Sequence, residues 1–166
     1  MTQAQHTYTP PRTTAGNDVP AGVAGYLDGE DLLAKTQALR LSTVDADGWP
    51  RAALLSAGDA LLLPDGRLRF AVFADSGTAA NLTRDGRLTV SLSLDGGMCE
   101  LRTRARGLRP MTPADPLALF EAQVEQVRQH AVPYAAVTTG ITFAVHDQAA
   151  VLGRWERQIA ALRAAA

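Results

Sequence analysis

A chain of 166 residues, 46% of them hydrophobic, is sized for one domain with its own core. Its net charge of −1 leaves no electrostatic footprint for nucleic acid or a membrane surface. Cys99 is the only cysteine, which excludes an internal disulfide and argues against a cysteine-based metal site.

The first stretch, residues 1–20, contains "TYTPPRTTAGNDVP" and has no apolar centre. It predicts a disordered N-terminal arm, neither signal peptide nor anchor, ahead of one domain over 21–166. No uncharged apolar run approaches the roughly 18 residues that span a bilayer, so the expected setting is soluble and cytoplasmic. Leu27 to Gln37 fits a short helix with Leu32 and Leu33 on its apolar side. Residues 38–45 alternate, and "ADG" turns them into 49–57. Strands are predicted again over 60–63 and, after "PDG", over 67–73. Between Phe73 and Leu88 come a Ser-Gly-Thr opening, a short helix over 77–85, and Gly86.

Residues 87–94 alternate strictly, with Leu88, Val90, Leu92 and Leu94 on one face. After "DGG", residues 98–108 put Cys99, Leu101, Thr103 and Ala105 on one face and Glu100, Arg102, Arg104 and Arg106 on the other. The Cys99 thiol reads as a small buried hydrophobe. Thr112 is an N-cap candidate with Pro113 behind it, and Leu117, Phe120, Val124 and Val127 recur at helical spacing. A strand over 138–146 and a final helix over 148–164, with Leu152, Trp155, Ile159 and Leu162 in its stripe, complete the chain. Strands joined by turns this short must be antiparallel. So many in one small domain predict a mainly β (α+β) fold, a closed or nearly closed barrel flanked by helices.

Three stretches now carry a family resemblance: "STVDADGWPRAALLSAG", "LRFAVFADSGTAANLTRDGRLTVSLSL" and "ELRTRARGL". In this order they resemble the FMN-binding split barrel of the pyridoxamine 5'-phosphate oxidase-like superfamily, over residues 38 to 110. The most specific pieces are the Gly48-x-Pro50 turn and the Ser76-x-Thr78-x-x-Asn81-Leu82 helix. The resemblance implies an antiparallel split β-barrel, a homodimer, and FMN in a cleft between subunits. It places the flavin phosphate at the amino end of the 77–85 helix. Elementary physics agrees, because a helix amino end offers unpaired N–H groups and about half a positive charge.

Ser76 and Thr78 add hydroxyls at that end, although Ser76 also suits a plain N-cap and Thr78 a surface position. The family's basic residue just after this serine is Gly77 or Thr78 here, and the one three after the turn proline is Ala53. Arg51, on the same strand face as Ala53, is the candidate replacement cation, and Arg69 a second. The backbone of Leu54, Leu55 and Ser56 is implied to meet the flavin ring edge, with Asn81 near the site. Arg102 and Arg104 are implied to serve the ring or substrate side; with Arg106 they equally fit a wet sheet face. The implied activity is an oxidoreductase of unknown substrate, with no catalytic residue evident. Pyridoxamine phosphate oxidation itself is not expected, since the family's substrate-phosphate residues are missing near the C-terminus. The alternative is a binding or stress protein that has lost flavin or holds another planar ligand, haem or deazaflavin. His6, His130 and His146 have no metal-ligand spacing.

Overall fold

Alternating apolar side chains build one large sheet in the computed structural model, which describes residues 8–109 and 114–166. The first elements are β1 (Arg12–Ala15), α1 (Ala21–Tyr26), a 3-10 turn (Leu32–Ala34), β2 (Leu39–Val44) and β3 (Pro50–Leu55). A second 3-10 turn (Ala57–Asp59), β4 (Ala60–Leu62), β5 (Arg67–Phe73) and α2 (Gly77–Arg84) follow. The chain closes with β6 (Arg87–Leu94), β7 (Gly97–Gly107), β8 (Leu117–His130) and α3 (Gln148–Ala164).

Every strand pairing is antiparallel, and the order is β3-β2-β6-β7-β8-β5-β4. With 14 residues, β8 holds β5 and then β1 along one edge while β7 pairs along the other. The sheet curls into a split barrel whose end strands, β3 and β4, are joined through the Ala57–Asp59 turn without pairing. Leu41, Phe70, Val90, Leu101 and Phe120 fill its interior, and the Phe70 and Phe120 rings stack at 5.7 Å. Fully burying one such side chain contributes roughly 1.5–3 kcal/mol. A second core lies on the other face, where Ala71 and Leu119 meet Trp155, Ile159 and Leu162 of α3.

The strands expected over 38–108, the 77–85 helix and the final helix are all present. Elsewhere the chain departs from expectation. The helix expected after Thr112 is instead β8; Thr112 and Pro113 themselves lie outside the described residues. A bulge explains the false helical spacing. Arg102 pairs with Gln126 and Thr103 with Val124, leaving Glu125 as an extra residue. The alternation therefore flips, and Phe120, Ala122 and Val124 share the barrel core with Val127.

The helix expected over Leu27–Gln37 gives way to α1 and the first 3-10 turn. Gly29 (φ 81°) and Asp31 (φ 48°) adopt left-handed backbone that a right-handed helix cannot contain. Residues 138–146 form no strand beyond one bridge, Gln37 to Thr142. Their apolar Phe143 and Val145 pack with α3 rather than extending the sheet. The arm expected over 1–20 is, from Arg12 to Ala15, a paired strand of the sheet.

Candidate functional site

Helix α2 begins where the sequence places it and caps one end of the barrel. Ser76 is its N-cap: the Ser76 Oγ accepts from the Ala79 N–H at 3.1 Å, leaving its own hydroxyl proton free to donate. The first helical backbone bond runs from Ala80 N to the Ser76 carbonyl, so the N–H groups of Gly77 and Thr78 precede the ladder. Ala79 and Leu82 enter the barrel core, which fixes the helix's roll. Asn81 Nδ2 donates to Thr43 Oγ1 at 3.0 Å, and Asn81 Oδ1 accepts from Arg84 at 3.2 Å. Arg84 also donates to the Val44 carbonyl, so the helix is tied to β2 along its second half.

Arg51 lies directly opposite Thr43 on the β2–β3 ladder, on the barrel side of β3. Its guanidinium reaches the amino end of α2: a methyl group at position 77 would stand 3.6 Å from Arg51 Cζ. The cation thus lies within contact distance of the helix start. The Arg51 guanidinium has no ion pair or hydrogen bond among the described residues. Thr78 is mostly buried, on the helical stripe of Leu82.

The structure therefore brings the Arg51 guanidinium to Gly77, the residue between Ser76 and Thr78. The other sequence candidates are placed differently. Asn81 is 5% exposed and has both ends of its amide engaged, so it positions α2 and faces no open volume. Arg69 is a correction. It projects from the far face of β5 beneath α3, where it is bound to Glu121 and the Leu162 carbonyl and cannot reach α2. Alternation put it on a strand, but only tertiary packing chose its face. Arg102 and Arg104 lie on the outer face of β7, across the sheet from the interior residues Leu101 and Thr103, and Arg104 pairs with Glu125 at 3.1 Å. Within one chain they do not join Arg51.

At the other end of β3, the Ser56 N–H and hydroxyl both donate to Asp59 Oδ2, at 2.8 and 2.6 Å. Leu54 is exposed and Leu55 half-buried, and both line a groove against residues 141–147 and α3. Sequence reasoning gave Trp155 a core-packing role on the final helix and read residues 138–146 as a strand. The available signal was the apolar alternation in "ITFAV" just before a helix. Cys99 is fully buried, and burial pushes its thiol up to about 11. Among the described residues no group of His, Cys, Asp and Glu is arranged to hold a metal ion. Among the same residues, no helix is long and apolar enough to cross a membrane.

No protein-family model matches the chain. Over 139 residues it is 30% identical to YclD, an uncharacterized protein of Bacillus subtilis (strain 168), covering 82% of this chain and 90% of that one. The chain belongs to the YclD family. Among solved structures, this YclD-family chain is similar to a protein from Lactobacillus delbrueckii provisionally assigned as a pyridoxamine 5'-phosphate oxidase. That likeness has a TM-score of 0.54 at 15% identity, over 72% of this chain and 98% of that one. A protein of unknown function from Agrobacterium tumefaciens matches with a TM-score of 0.50 at 19% identity, over 76% of this chain and 64% of that one. The YclD-family chain thus has the split-barrel fold of the pyridoxamine 5'-phosphate oxidase-like group.

Proposed function

We propose that this chain is a flavoprotein that holds FMN at the amino end of α2, works as a homodimer, and carries out redox chemistry on a small molecule in the cytoplasm. The observation that carries this reading is the seat of the Arg51 guanidinium against Gly77, 3.6 Å from where a methyl group would stand. The Arg51 guanidinium lies beside the start of α2, where the Gly77 and Thr78 N–H groups and the Ser76 hydroxyl are found. That donor set suits a phosphate dianion, which gains most from charge-assisted hydrogen bonds. Arg51 offsets part of the phosphate charge, Ser76 and Thr78 orient it, and Asn81 holds the helix that presents them. FMN, when bound, supplies the hydride and electron chemistry, and the protein supplies position and electrostatics. In the proposed dimer a second copy covers the outer sheet face that carries Arg102 and Arg104.

A second reading is favoured by Ala53 and Gly77, which leave Arg51 as the single cation at the cradle. In it the barrel holds a different planar ligand, such as haem or deazaflavin, or none. Absorption of the freshly purified protein separates the two. Flavin bands in the blue and near ultraviolet, with FMN bound more tightly than riboflavin, are expected. A Soret band, or equal binding of FMN and riboflavin, overturns the FMN reading.

A further inference from the structure

Trp49 is 72% exposed, yet the β2–β3 hairpin holds its backbone in one place. Its N–H donates to Asp45 Oδ1 at 2.9 Å, and the Asp47 N–H donates to the same oxygen at 3.0 Å. Asp45 N in turn donates to the Trp49 carbonyl at 2.9 Å, and Gly48 (φ 86°) supplies the left-handed step of the turn. The ladder therefore continues one pair beyond Val44–Pro50. Residues two apart share a strand face, so Trp49 stands on the face of Arg51, about 6.6 Å along the strand. On that face Arg51 has a neighbour on each side. Ala53 leads toward Leu54–Ser56, the stretch implied to meet the flavin ring edge, and Trp49 lies in the opposite direction. A flavin whose phosphate ends at Arg51 leaves Trp49 untouched, whereas a group esterified to that phosphate continues toward it.

We infer that the α2 cradle takes its flavin as a dinucleotide, with the second base stacked on Trp49. This rests on the flavin reading above and deepens it. FAD contains the whole FMN moiety, so Arg51, Ser76 and Thr78 serve both, and Trp49 serves the dinucleotide alone. An exposed indole suits a base, because every base has a π-face and stacking needs no hydrogen-bond pattern. An aromatic on a turn that is already fixed also loses little freedom when a ligand covers it.

The test titrates the full flavin-free chain with FMN and FAD by calorimetry. FAD is expected to bind more tightly than FMN. Trp49→Ala should weaken FAD by roughly fivefold to a hundredfold and leave FMN within about twofold. Trp49→Phe keeps a stacking face and should restore most of the FAD affinity. FMN binding the wild type as tightly as FAD overturns the dinucleotide inference without any variant, and the flavin reading then stands. Equal effects of Trp49→Ala on the two flavins do the same. So does a loss of dimer in light scattering with FAD affinity unchanged, which assigns Trp49 to a contact between copies. Binding of neither flavin, or an Arg51→Ala variant that binds both as the wild type does, overturns the flavin reading and this inference with it.

Discussion

Arg69 Nε donates to Glu121 Oε2 at 2.8 Å directly across the β5–β8 ladder, and each residue is only 5% exposed. Glu121 also accepts from Arg67 at 2.9 Å and from Arg106 at 2.6 Å, the latter its partner on β7. Arg69 Nη1 continues to the Leu162 carbonyl at 2.8 Å, in the last turn of α3. One buried carboxylate thus joins three strands, and one buried arginine fastens the final helix to them. Removing one member of a buried pair leaves the other charge uncompensated, a loss of about 3–5 kcal/mol. Glu121→Gln is expected to lower stability by about 3 kcal/mol at pH 7, read by denaturant unfolding. The double change Arg69→Met, Glu121→Leu should cost clearly less, because no charge is left buried.

The same carboxylate sets an acid limit. Burial pushes the Glu121 carboxyl up, but hydrogen bonds from Arg69, Arg106 and Arg67 outweigh it and hold it below its ordinary range. A depressed folded-state value contributes stability that is complete above the unfolded value of about 4.3 and lost as pH falls through the folded one. Unfolding free energy should therefore drop below about pH 4 in the wild type and drop less steeply in Glu121→Gln. Parallel pH profiles for the two proteins would place the acid sensitivity elsewhere.

At the α2 cradle, Arg51→Ala removes a charge-assisted contact of roughly 1.5–3 kcal/mol, so FMN should bind about tenfold to a hundredfold more weakly. Thr78→Val should cost somewhat less. Riboflavin lacks the phosphate and should bind Arg51→Ala as it binds the wild type. Because Arg51 is exposed and unpaired, its melting temperature should hardly change, which separates a binding effect from a folding one.

Gly58 lies so close to α3 that an added Cβ would come 2.0 Å from Trp155 Cγ. Neither the 3-10 turn nor the indole has room to yield, since Gln158 also bonds the Gly58 carbonyl at 3.2 Å and Asp59 at 2.7 Å. Gly58→Ala is expected to destabilise the protein by about 1–3 kcal/mol and to shift Trp155 fluorescence to longer wavelength. An unchanged spectrum and midpoint would show that the turn relaxes freely.

Deletion of residues 1–18 should lower the melting temperature, because β1 pairs with β8 from Arg12–Gln129 to Ala15–Gln126. Calorimetry on the truncated and full chains gives the answer. An unchanged midpoint would mean that this short edge pairing contributes nothing measurable.

What the sequence determined by itself was local and periodic. Strict alternation at Leu88, Val90 and Leu92, and at Cys99, Leu101 and Thr103, fixed both the strands and their buried faces, because side chains in a strand repeat every two residues. Ser76 before a short helical run fixed the start of α2 by capping chemistry alone, and Arg51 two residues before Ala53 was legible as the nearest cation. Tertiary structure decided what periodicity cannot encode. An extra residue at Glu125 and burial on both faces, at Leu119 and Phe120, gave β8 the spacing of a helix. Residues 138–146 alternate like a strand, yet Phe143 and Val145 found their partners on α3. Arg69 and Arg51 both sit on strands; Glu121 and the carboxyl end of α3 claimed the first, while the second was left facing α2. A strand's pattern says that a side chain has a face, and only the neighbours across that face say what it meets.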